Sequence, residues 1–132
     1  MKKIILSLLI LISSLIAELK NEYLTQELLD TKIPIVDIRT KGEWQQTGIL
    51  KNSIPIEFFN QKGQYNIPLF LDTLNKKVDT KKPFALICRT GSRTKMVASY
   101  LSDTYNYKVT NIKGGIIMSV MDPNNKNIIP YK

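Results

Sequence analysis

The chain contains no histidine and one cysteine, Cys88. Without histidine there is no Cys–His or Ser–His pair to activate a nucleophile, and most zinc sites lose a usual ligand. A single cysteine excludes an internal disulfide and a Cys-x-x-Cys redox pair. No metal and no resident cofactor is expected. Aromatic residues are sparse, at 8%. They are not interleaved with basic residues, as a stacking platform for single-stranded nucleic acid requires. Nucleic acid is therefore not an expected partner.

One long apolar run is present, at the start. Lys2 and Lys3 precede Ile4 to Ile16, which is broken only by Ser7, Ser13 and Ser14. Ala17 follows, then the polar stretch Glu18-Leu19-Lys20-Asn21-Glu22. This is the pattern of a secretory signal peptide over residues 1–17, with cleavage after Ala17. A buried helix is the lesser reading, because a helix apolar on nearly every side has no solvent face. The run is short for a spanning helix, which needs roughly 20 apolar residues. Leu15, however, is larger than the small residue preferred before a cleavage site, so an uncleaved membrane anchor stands as the alternative. Either way the chain is expected to be exported, to the periplasm if bacterial. The membrane is a partner only if the segment is retained.

Residues 18–132 have room for one domain. At 43% hydrophobic content, the 132-residue chain has enough for a core. Its net charge is +8. A basic balance can serve nucleic acid or an anionic membrane surface. The lysines are scattered, however (Lys51, Lys62, Lys95, Lys108, Lys113, Lys126), and the pairs Lys76-Lys77 and Lys81-Lys82 flank one loop. The charge reads as solubility with some attraction for small anions.

Periodicity places the elements. Thr25 caps a short helix, Gln26 to Asp30. Ile33 to Ile38 reads as a strand, with Asp37 and Arg39 at its end. Lys41 to Gln46 reads as one helical turn carrying Trp44. Gly48 to Ile56 is a loop entering an extended piece, and Asn60 to Asn66 is a polar loop. Pro68 opens a helix to about Val78, with Phe70, Leu71, Leu74 and Val78 at helical spacing. Phe84-Ala85-Leu86-Ile87 is a buried strand ending at Cys88. A helix follows from Thr94 to about Ser102, and then a strand from Lys108 to Ile112 stopped by Gly114-Gly115. The tail from Asp122, rich in Pro and Asn, reads as irregular. Strands alternating with helices predict an α/β domain with a mostly parallel central sheet flanked by helices. Such a sheet places ligands at the C-terminal ends of its strands.

Cys88 lies at such an end. A loop from Cys88 to Arg93 that wraps on itself points successive backbone N–H groups inward, and Gly91 permits the turn. The following helix adds the positive end of its dipole. Arg89 and Arg93 add two permanent cations, and Thr90 and Ser92 add hydroxyl donors. Together these terms favour a thiolate and attract a small oxyanion. A structural core cysteine is the bland alternative.

The segment Cys88-Arg89-Thr90-Gly91-Ser92-Arg93 resembles the active-site loop of the rhodanese-like sulfurtransferases. Ile35-Val36-Asp37-Ile38-Arg39, Glu43-Trp44 and Gly48-Ile49-Leu50 resemble the family's first signature, and Lys113-Gly114-Gly115-Ile116 its closing element. The resemblance implies that Cys88 carries a sulfane sulfur as a persulfide. Loop amides from Arg89 to Arg93 then hold that sulfur or the donor, and the two arginines bind the anion. Asp37 and Arg39 support the loop, although a purely structural carboxylate at Asp37 is an equal reading. The implied donor is a small sulfur-containing anion such as thiosulfate. The acceptor is an external thiol, cyanide or a protein. Two departures are visible: Ile49 stands where the family often has histidine, and Met118, Ser119 and Val120 stand where it has an aromatic residue. Relatives that handle phosphate or arsenate resemble a longer loop, with five residues between Cys and Arg. Here there are four, which favours sulfur. A non-catalytic or carrier module is the remaining alternative.

Overall fold

The structure, a computed structural model, describes residues 19–124 and 126–132. The signal-peptide or anchor reading of residues 1–17 lies outside the described residues.

Five strands form one parallel sheet in the spatial order β1-β6-β5-β2-β4. They are β1 (Lys20–Tyr23), β2 (Ile35–Asp37), β4 (Ile54–Pro55), β5 (Phe84–Ile87) and β6 (Val109–Lys113). Two short strands, β3 (Ile49–Leu50) and β7 (Ile128–Ile129), pair antiparallel beside it. The helices are α1 (Gln26–Asp30), α2 (Lys41–Thr47), α3 (Ile67–Lys77), α4 (Ser92–Tyr105) and α5 (Gly115–Val120). The expected α/β class with a mostly parallel, helix-flanked sheet is what the chain adopts.

Strand alternation sorts the core into two layers. In β5, Phe84, Leu86 and then Cys88 point to one face, where Phe70 and Leu74 of α3 and Val97 and Leu101 of α4 cover them. Ala85 and Ile87 point to the other face, against Leu28 of α1, Leu50 and Ile116 of α5. Both faces are apolar because β5 lies between β6 and β2, with helices on each side. The period of two therefore aims the thiol at the α4 side.

From β2 the chain goes to β4 on one flank, then returns to β5 on the other. The reversal opens a crevice between the ends of β2 and β5, where ligands bind in such sheets. Ile35, Val36 and Asp37 pair with Ala85, Leu86 and Ile87. Asp37 and Cys88 thus leave the sheet at the same edge.

Several elements depart from the sequence expectation. β1 forms from the polar stretch after the N-terminal run. All four of its residues are exposed, so no apolar alternation marks it, and backbone pairing to β6 creates it. α2 is a full helix rather than a single turn. Thr40 and Glu43 close a reciprocal capping box at its start. α4 starts two residues earlier than expected and continues to Tyr105, where Asn106 in the left-handed conformation ends it. The short helix α5 follows the two glycines, where only a stop was expected. The tail is not irregular throughout: β7 pairs with β3, and Tyr131 packs on Trp44 with ring centroids 5.3 Å apart.

Leu86 is fully buried in the middle of the central strand. Leu86→Ala should cost about 2–5 kcal/mol of stability, read as a lowered midpoint in urea unfolding.

Candidate active site

Cys88 follows β5 directly and is 1% exposed. Its Sγ is the floor of a short loop. The Gly91 N–H donates to it at 3.1 Å, and the Thr94 hydroxyl lies 3.5 Å away. Gly91 reaches this position with φ +95, in the left-handed region. A Cβ there would meet the Gly114 backbone nitrogen at 3.0 Å, a tight contact added to the strain of the conformation.

Two hydrogen bonds fix the loop from behind. The N–H groups of Ile116 and Ile117, in α5, donate to the carbonyls of Cys88 and Arg89 at 2.9 and 3.1 Å. Peptide planarity then turns the N–H groups of Arg89 and Thr90 the opposite way, away from α5. Gly115 allows this approach. Its φ is +60, and a Cβ there would collide with the carbonyl of Arg89. The closing glycine pair is thus a contact surface for the cysteine loop. The helix α4 begins at Ser92 with no side-chain cap, so no capping side chain takes its first N–H groups. The Gly91 N–H at Sγ and the positive end of the α4 dipole both favour negative charge there.

The two arginines of the loop have different fates. Arg93 makes a fork to Glu43 of α2, at 2.7 and 2.8 Å. Its charge is matched before any substrate arrives. Arg89 is exposed and takes part in no ion pair among the described residues. Thr90 and Ser92 are exposed at the rim, with their hydroxyls 3.3 Å apart.

Among the described residues, Asp37 and Arg39 make no hydrogen bond or ion pair to the cysteine loop. They pair with each other, fully buried, through contacts of 2.8 to 3.1 Å. Arg39 also donates to the Thr47 hydroxyl at 2.7 Å and the Gly48 carbonyl at 2.8 Å. The pair therefore locks the end of β2 to the end of α2, which carries Glu43. It reaches the loop through Glu43 and Arg93, and the Asp37 carboxylate also acts on Arg93 through its charge.

Thr94, Asn111 and Asn21 contribute although the sequence did not single them out. Thr94 is fully buried beneath Cys88 and donates to the Asn111 carboxamide at 2.6 Å. Asn111 in turn donates to Asn21 of β1 at 3.0 Å. This chain crosses from the thiol through β6 to the edge strand. Thr94 and Asn111 give no signal in the sequence because each lies in an otherwise ordinary helix or strand. Glu43 does give one, three residues after Thr40, as the capping-box spacing.

Comparisons with known proteins agree with this geometry. The model of the rhodanese-like domain matches residues 20–117. A sulfurtransferase of Allochromatium vinosum is 31% identical over 104 residues, covering 78% of this chain and 87% of that protein. An uncharacterised protein of Rickettsia prowazekii is 32% identical, covering 67% and 72%. Among solved structures, a rhodanese-like domain protein from Staphylococcus aureus superposes with a TM-score of 0.60 at 21% identity, covering 85% of this chain and 99% of that one. The chain belongs to the rhodanese-like domain family.

Two consequences can be measured. Removing one partner of the buried pair strands the other charge, so Asp37→Ala should cost about 3–5 kcal/mol in urea unfolding. The double change Asp37→Leu with Arg39→Met should recover much of that loss. The second consequence concerns acid. The Arg93 fork holds the Glu43 carboxyl below its ordinary range. Burial opposes this, and the Thr40 contacts reinforce it. A depressed carboxylate contributes stability that is fully present above its unfolded pKa and is lost as pH falls through its folded pKa. Acid unfolding of the wild type should therefore steepen below the ordinary glutamate range, and Glu43→Gln should flatten that part of the profile.

Proposed function

We propose that the protein is a sulfurtransferase that carries a sulfane sulfur on Cys88. The observation that carries this reading is the thiol on the floor of a four-residue amide loop. Its Sγ already accepts from Gly91, the residue from which α4 starts without a side-chain cap. The name of the Allochromatium relative supports the same chemistry.

The donor is an anion such as thiosulfate. The Cys88 thiolate attacks the outer sulfur of thiosulfate, the sulfur–sulfur bond of the donor breaks, and sulfite leaves with the electron pair. Cys88 is then a persulfide. A second nucleophile, such as an external thiolate or cyanide, attacks the terminal sulfur. The new bond forms to that nucleophile, and the Cys88 thiolate is regenerated. No net oxidant or reductant is needed. With Arg93 matched by Glu43, Arg89 supplies the cation at the mouth. The loop amides hold the transferred sulfur.

The four-residue spacing supports sulfur over phosphate, since a tetrahedral phosphoryl group needs a wider cradle than one terminal sulfur. The lone cysteine also supports a carrier role, in which a protein partner unloads the persulfide. The Lys2-Lys3 start and the apolar segment after it support an exported, periplasmic protein, with that segment either removed or retained as an anchor.

Incubation of the purified chain with thiosulfate should add one sulfur, about 32 Da, to Cys88 by mass spectrometry. No adduct on the wild type would sink the proposal. Cys88→Ser should show neither adduct nor turnover with thiosulfate and cyanide, with an unchanged circular dichroism spectrum. Loading without turnover on any small acceptor assigns the carrier role.

A further inference from the structure

Lysines that look scattered in the sequence are gathered by the fold. The four neighbouring strands β1, β6, β5 and β2 run parallel, so their starts share one edge. Each is entered through a lysine. Lys20 opens β1, Lys108 immediately precedes β6, Lys82 comes two residues before β5, and Lys32 three before β2. All four are exposed. They line one cleft of about 820 Å³ at that edge, with Glu22 and Asp79 as the carboxylates on its wall. Lys77, which ends α3, and Lys81, beside Lys82, are also exposed. The Cys88 loop leaves from the opposite edge of the same sheet.

The cleft suits a surface of anionic headgroups better than nucleic acid. No aromatic side chain lines it, so a base has nothing to stack on. Among the described residues no helix is long and apolar enough to cross a membrane. The apolar run Ile4 to Ile16, however, ends only a few residues before Lys20. At roughly 3.3–3.6 Å per extended residue, the three-residue step from Ala17 to Lys20 can span at most about 11 Å. That is close to the Debye length, about 8–10 Å at physiological salt. A chain held in a bilayer by residues 4–17 brings this edge to the surface first.

We propose that residues 4–17 stay attached as an anchor and that the lysine edge (Lys20, Lys32, Lys82 and Lys108) rests on the anionic phospholipid headgroups beside it. Cys88 then faces away from the membrane, toward soluble donors and acceptors. This inference does not depend on the sulfur chemistry.

The full chain should be reconstituted in phosphatidylcholine vesicles with and without phosphatidylglycerol. Lysine acetylation by a water-soluble reagent is then followed by mass spectrometry at low and high salt. With phosphatidylglycerol at low salt, the four edge lysines should acetylate at least about threefold more slowly, consistent with the attraction of a lysine to such a surface. Lys41 and Lys95, on α2 and α4 at the active-site edge, should keep their rates. High salt should remove the protection. Lys82→Gln with Lys108→Gln should restore acetylation of Lys20 and Lys32. Equal rates in both vesicles, slowing of Lys41 and Lys95 instead, or a mature chain that begins at Glu18 would each overturn the proposal. So would nucleic acid protecting the same lysines while phosphatidylglycerol does not.

Discussion

Four residues must turn the chain from the buried end of β5 into α4 with the Gly91 N–H directed back at Sγ, and the surrounding elements are arranged around that requirement. The carbonyls of Cys88 and Arg89 cannot be left unpaired in a crowded edge. The N–H groups of Ile116 and Ile117 take them, which is possible only because Gly115 has no side chain to strike Arg89. Gly91 turns in the left-handed region against Gly114. Below the loop Thr94, Asn111 and Asn21 form a hydrogen-bonded chain that ties α4, β6 and β1 together. Beside it Glu43 holds Arg93, and the Asp37–Arg39 pair holds the helix that carries Glu43. The edge strand β1, which looks peripheral, is thus one end of a polar line that begins at the thiol.

Charge at the site is resolved in the same way. Four ionisable groups near the crevice cancel in pairs, one pair fully buried and one partly so. Such pairs contribute little net energy compared with apolar packing, but they are costly to break. They therefore fix geometry more than they stabilise it. What remains uncancelled at the mouth is Arg89, the Gly91 N–H and the α4 dipole. Arg93, though held by Glu43, still interacts through its charge with Cys88, so the two arginines contribute unequally and not singly.

Much of this was legible in the chain. The alternation Phe84, Leu86, Cys88 against Ala85, Ile87 states which layer the thiol joins, and a strand apolar on both faces has to be central. Gly91 and the glycine pair mark the tight places. The parts that were not legible share a physical cause, which is that long-range pairing decides them. β1 is exposed at every position and exists through its register with β6. β7 is two residues long and exists through β3. The partner of Arg93 lies 50 positions away in sequence. The lysines of the sheet's starting edge are gathered by topology alone, because parallel strands enter from one side.

Burial of the thiol and the absence of a second cysteine bear on one another. Cys88 is 1% exposed. A disulfide to another protein needs the two Cβ atoms within about 3.5–4.5 Å, an approach that the burial of Cys88 opposes. The resting thiol is therefore shielded from adventitious coupling, as the proposed oxidising location demands. A sulfur added to Sγ extends the reactive atom by about 2.05 Å along the new bond. In the proposed cycle the loaded form presents its terminal atom that much farther out than the Sγ of the resting form. The same depth that protects the free cysteine sets the reach required of the nucleophile that unloads it.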